Sequence, residues 1–154
     1  MAKGDNDEKL LEHAWRYFEL HAKQRLTLFS FYIVLCGLIA AAWANAMTAN
    51  PPLTDVGAFM AGLMTLASLI FWKIDQRNSF LVKRAEQVMA RAEGRLFPEQ
   101  DGLFLGETAA SADNRSRWNP LKRWSHGHSL RVMFATMGAI GVLGVVNSLW
   151  LFPL

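Results

Sequence analysis

Hydrophobic positions fall into three long uncharged runs, and helical stripes flank them. Leu26 to Met47, Val56 to Trp72 and Val132 to Leu154 carry no Lys, Arg, Asp or Glu. A helix needs about 20 mostly apolar residues to cross roughly 30 Å of hydrocarbon. The first and third runs meet that length. The second is near the lower limit, with Trp72 and Lys73 placed to anchor at the headgroups. Soluble helices carry a charged face, and these runs have none. The pattern predicts an all-α integral membrane protein with three transmembrane helices. Its expected segments are 1–25, a cytoplasmic amphipathic helix; 26–47, span one; 48–55, an external turn; 56–72, span two; 73–96, a long cytoplasmic extension of span two; 97–131, a cytoplasmic loop and interfacial segment; and 132–154, span three. The charged segment ahead of Leu26 predicts that span one is retained and not cleaved as a signal peptide.

Before span one, Leu11, Ala14, Trp15, Phe18 and Ala22 recur on one helical face from about Asp7 onward. Glu12–Arg16 and Glu19–Lys23 are i,i+4 pairs in the favourable order. No Pro or Gly separates this segment from span one, so the helix either runs straight on or bends to lie on the membrane. After span two, Ile74, Asn78, Leu81, Val82, Ala85, Met89, Ala92 and Leu96 form a second stripe with no breaker until Gly94. Pro98 stops it. An apolar stripe beyond the headgroups must be buried. Trp15, Phe18, Leu81, Val82 and Ala85 are therefore the expected cytoplasmic helix assembly, within one chain and between copies.

Composition and charge then set location and direction. The chain has 154 residues, 52% hydrophobic and 19% charged, against roughly 25% charged in ordinary soluble proteins. All 16 Lys and Arg lie in residues 1–25 or 73–131, on one side of a three-span arrangement. The positive-inside rule puts that side in the cytoplasm, with the C-terminus external. Trp118 and Trp124, with Lys122 and Arg123, match an interfacial anchor for anionic lipids and not a nucleic-acid site. Asp75, just past span two, is placed to pair with Arg25 at the start of span one.

The spans hold little chemistry. Ala135, Gly138, Gly141 and Gly144 make a small-residue stripe that drifts around span three. It serves either packing between the chain's own helices or subunit packing about a central axis. No ionisable residue sits mid-span, which argues against a proton-coupled transporter. A pore here has apolar or lightly hydroxylated walls. His13 and His21 are two helical turns apart, too far for one metal, and His126-Gly127-His128 lacks further ligands. The single cysteine, Cys36, excludes an intrachain disulfide. No nucleophile, acid–base pair or phosphate loop emerges, so the expectation is a non-enzyme without cofactor or metal.

The stretch Trp15 to Arg25 leading into span one, and Phe71 to Asn78 leaving span two, resemble small bacterial multi-span membrane proteins. They are loosely similar to SLATT-like membrane effectors encoded beside anti-phage nucleotide-signalling genes. That resemblance implies a homo-oligomer that perturbs the membrane under control of a cytoplasmic protein partner or signal. The rival expectation from the same residues is a membrane anchor or scaffold that recruits such a partner.

Overall fold

The computed structural model describes residues 2–96, 106 and 126–150, and the regular structure among them is helical. Helix α1 spans Ala2–Thr48, α2 spans Thr54–Leu96 and α3 spans His126–Trp150. Each contains a stretch long and apolar enough to cross a membrane. The first is one uninterrupted helix, so the chain runs straight from the amphipathic segment into the apolar run. It begins at Ala2, five residues before the expected start, because no breaker other than Gly4 occurs there. Asn50, Pro51 and Pro52 end it, with a cis Asn50–Pro51 bond and Leu53 N donating to Ala46 O at 2.9 Å. Asp55 in the first turn of α2 suits the positive end of the helix dipole.

Helix α3 takes in the residues from His126 to Arg131, ahead of the uncharged run that begins at Val132. Gly127 is tolerated because it sits in the first turn, where the helix makes the least use of its residues.

The chain divides into two compact units. Unit one comprises Met1–Arg25 and Arg77–Trp124. Its buried side chains are Ala14 from α1 and Asn78, Ser79, Val82, Ala85, Met89, Ala90 and Ala92 from α2. Arg95 Nη1 lies 3.5 Å from Asp7 Oδ1. Eighteen residues separate Asp7 from Arg25, and eighteen separate Arg77 from Arg95. The two helices therefore run antiparallel and level through the unit.

Unit two comprises Leu26–Gln76 and Ser125–Leu154. Its core is Tyr32, Cys36, Ile39, Met64, Leu130 and Phe134, with Phe29, Met60, Phe71, Trp72 and Met137 packed around it. The outward faces are as apolar as the core. Phe31, Leu38, Phe59, Ile140 and Leu143 are each more than half exposed.

Candidate functional site

Helices α2 and α3 pack closely along a seam in unit two. Small residues on α2 meet small residues on α3 in antiparallel order: Gly57 beside Ser148, Ala61 beside Gly144, Thr65 beside Gly141, Ser68 beside Gly138. A Cβ on Gly141 would crowd Thr65 Oγ1 and lie 2.8 Å from Ala61 O and 2.9 Å from Thr65 N. On Gly144 it would lie 2.9 Å from Ala61 Cβ, and on Gly138 3.4 Å from Ser68 Cβ. Small residues of this kind let two helix backbones approach closely. The glycines face α2 of the same chain, and Ala135, further around the drifting stripe, is exposed.

Hydroxyls stitch the seam and tie α1 to it. Thr65 Oγ1 donates to Ala61 O at 3.2 Å and approaches Gly138 O at 3.4 Å. Ser68 Oγ donates to Met64 O at 2.8 Å, which leaves Tyr32 Oη to donate to Ser68 Oγ at 2.9 Å. The Tyr32 ring meets Phe134 edge-on at 4.7 Å and Phe71 at 5.1 Å. Ser148 does the same work nearer the turn. It donates to Gly144 O at 2.9 Å and accepts from Trp43 Nε1 at 3.4 Å. Sequence reasoning registers these hydroxyls as neutral polar residues and misses their partners. Serines at small-residue spacing opposite glycines were the available signal.

Helices α1, α2 and α3 enclose an apolar cleft of about 400 Å³. Ile39, Trp43, Met64, Leu143 and Gly144 line it, and Asn147 gives its wall an amide. Asn45 is exposed on the far side of α1. At the other end of unit two, Asp75 is 5% exposed. Arg131 Nε lies 4.0 Å from Asp75 Oδ2 and is buried with no hydrogen bond among the described residues. Arg131 is a cation near Asp75 that the sequence reading does not name. Arg25 itself is half-buried at the end of unit one.

In unit one, Val82 and Ala85 are buried, and Phe18 and Leu81 are half-buried. Trp15 is 48% exposed and stacks on Phe18 at 5.7 Å. Its ring thus extends the buried stripe onto the surface. Trp118, Lys122, Arg123 and Trp124 lie outside the described residues. Among the described residues, no three His, Cys, Asp or Glu side chains gather as a metal site would require.

Over 140 residues the chain is 34% identical to CD-NTase-associated protein 19 of Escherichia coli, covering 90% of this chain and 91% of that protein. No family model matches the chain. No solved structure matches it.

Proposed function

The chain belongs to the family of CD-NTase-associated protein 19, and from that premise we propose that it is a membrane effector of anti-phage defence. In this reading it assembles as a homo-oligomer in the bacterial inner membrane and forms or gates a pore. A CD-NTase, or a signal from one, acts from the cytoplasmic side, where all sixteen Lys and Arg residues fall. The protein does no covalent chemistry and needs no cofactor. Anionic lipids meet its basic boundary residues. SLATT-like effectors are the analogy for such membrane perturbation.

The observation that carries the reading is the near full-length relationship to a protein named for its association with a CD-NTase. The physical support is the apolar exterior of unit two, which suits lipid on some faces and neighbouring copies on others. The hydroxyls of Tyr32, Thr65, Ser68 and Ser148 are consumed inside the unit. A pore wall built from the outward faces is therefore largely apolar, and gating works by wetting and drying a constriction.

The test is dye release from phosphatidylethanolamine–phosphatidylglycerol vesicles carrying the reconstituted protein, with and without a CD-NTase. Release that depends on the protein supports the pore. Tight vesicles under both conditions overturn it. The relative's name describes an association, which favours a second reading, a non-enzymatic anchor or scaffold. A stoichiometric complex with a CD-NTase on vesicles that stay tight would select that reading.

A further inference from the structure

Unit one carries two exposed helical stripes of complementary character. On α1, Glu8, Glu12, Trp15 and Glu19 recur at steps of four, three and four, and all are exposed. On α2, Arg77, Phe80, Arg84, Gln87 and Arg91 recur at steps of three and four, and all are exposed. These spacings keep each set on one face of its helix. Phe80 is 62% exposed, a large ring in the middle of a basic row. Among the described residues, neither Arg84 nor Arg91 makes an ion pair.

The two stripes also match in height. The Asp7–Arg95 contact, with equal offsets from Asp7 to Arg25 and from Arg77 to Arg95, sets an approximate register. Trp15 is then level with Gln87, and Ala22 with Phe80. Glu12 and Glu19 come within one residue of Arg91 and Arg84, about 1.5 Å along the axis. Within one copy the stripes do not meet, because the faces packed together are those of Ala14, Val82, Ala85 and Met89.

We infer that copies of this chain associate head to tail, the Glu12–Trp15–Glu19 face of α1 in one copy seating on the Arg84–Gln87–Arg91 face of α2 in the next. The inference rests on the homo-oligomer reading above. Copies related by an axis along the membrane normal stand parallel and at equal height, so level residues of neighbours meet. Acid then faces guanidinium twice, indole covers amide, and Ala22 leaves room for Phe80. A two-fold contact of either stripe with itself would set like charges together, which costs affinity. A head-to-tail contact avoids this and closes into a ring when the rotation allows. Arginine and aromatic side chains are also the types enriched at interface centres. The intrahelical pairs do not block the contact. Arg16 and Lys23 each take one oxygen, Oε1, of Glu12 and Glu19 at 2.6 Å. A carboxylate has a second oxygen to offer, and such exposed pairs are worth only a few tenths of a kcal/mol.

The experiment is native mass spectrometry of the full chain in nanodiscs, with charge reversal on each stripe. Glu12→Arg with Glu19→Arg should lose the wild-type assembly and keep its helix content. Arg84→Glu with Arg91→Glu should do the same. Combining all four reversals in one chain should restore the assembly, since each face then meets its complement again. A second measurement uses Cys36→Ser, Trp15→Cys and Gln87→Cys in one chain, where oxidation should give a ladder of covalent multimers. A wild-type assembly unchanged by either reversal overturns the inference and leaves the homo-oligomer reading standing. Loss without recovery in the fourfold variant, or a monomer alone after oxidation, also overturns it. A monomeric wild type removes the homo-oligomer reading itself.

Discussion

Gly141 and Gly37 differ in what surrounds them, and substitution should separate them. Around Gly141 the nearest atoms include Ala61 O and Thr65 N, which are backbone and cannot swing away. Gly141→Ala forces α2 and α3 apart, and overpacking of this sort costs about 1–3 kcal/mol. At Gly37 nothing lies within 4 Å of an added Cβ, and alanine is the better helix former. Gly37→Ala should therefore be neutral or slightly stabilising. Thermal unfolding in a fixed detergent checks the pair, and equal shifts would refute the seam. Tyr32→Phe should fall between them. Its hydroxyl donates to Ser68, but Ser68 keeps its own bond to Met64 O, so no buried donor is orphaned. Hydrogen bonds between membrane helices average only about 0.6 kcal/mol. Steric crowding at Gly141 thus outweighs loss of the hydroxyl, and the order of Tm should be Gly37→Ala, Tyr32→Phe, Gly141→Ala from high to low.

Helix pairs show how far a linear pattern reaches. Periodicity marks the stripe that α2 buries, and Asn78, Val82, Ala85, Met89 and Ala92 are all buried in unit one. Trp15, on the corresponding stripe of α1, stands at the edge of that face, 48% exposed, because a stripe has a width that spacing alone does not give. The start of α3 was hidden by Gly127 and by the turn-forming residues before it. Partners distant in sequence were the least legible. Asp75 and Arg131 are brought together by the antiparallel register of α2 on α3, which also pairs Ser68 with Gly138 and Ala61 with Gly144. This pair makes a prediction of its own. Arg131→Met leaves a carboxylate in a nearly closed site with one cation fewer. Asp75→Asn leaves a guanidinium whose side chain is 43% exposed and reaches water. The arginine change should therefore destabilise more, bounded above by the roughly 3–5 kcal/mol of a fully buried pair broken from one side. Changing both should recover part of the loss, and a double-mutant cycle on urea or thermal unfolding measures it. A cost at Asp75 equal to or above that at Arg131 would reject this account.

Across the whole molecule, the distribution of charge predicts a direction that labelling can read. The sixteen Lys and Arg residues fall in 1–25 and 73–131, and the turn around Asn50 has none. That bias orients spans with the basic side in the cytoplasm. Cys36 is buried in unit two, so a Cys36→Ser background is free of native thiol. In it, Ala49→Cys beside the turn should react with a membrane-impermeant maleimide on intact spheroplasts. Leu10→Cys, exposed on unit one, should react only after permeabilisation. The reverse order would turn the molecule over. A CD-NTase in the cytoplasm would then have no access to unit one, and the proposed route of control would fail with it. The expected order leaves the complementary Glu and Arg stripes on the side where such a partner works. A partner that binds either stripe then competes with the contact between copies. Added salt offers a check on that electrostatic contact, since exposed charge pairs weaken as the screening length falls from about 10 Å at 0.1 M to about 3 Å at 1 M. The assembly mass should shift towards smaller species over that range if the stripes hold copies together, and should stay constant if only the apolar faces of unit two do.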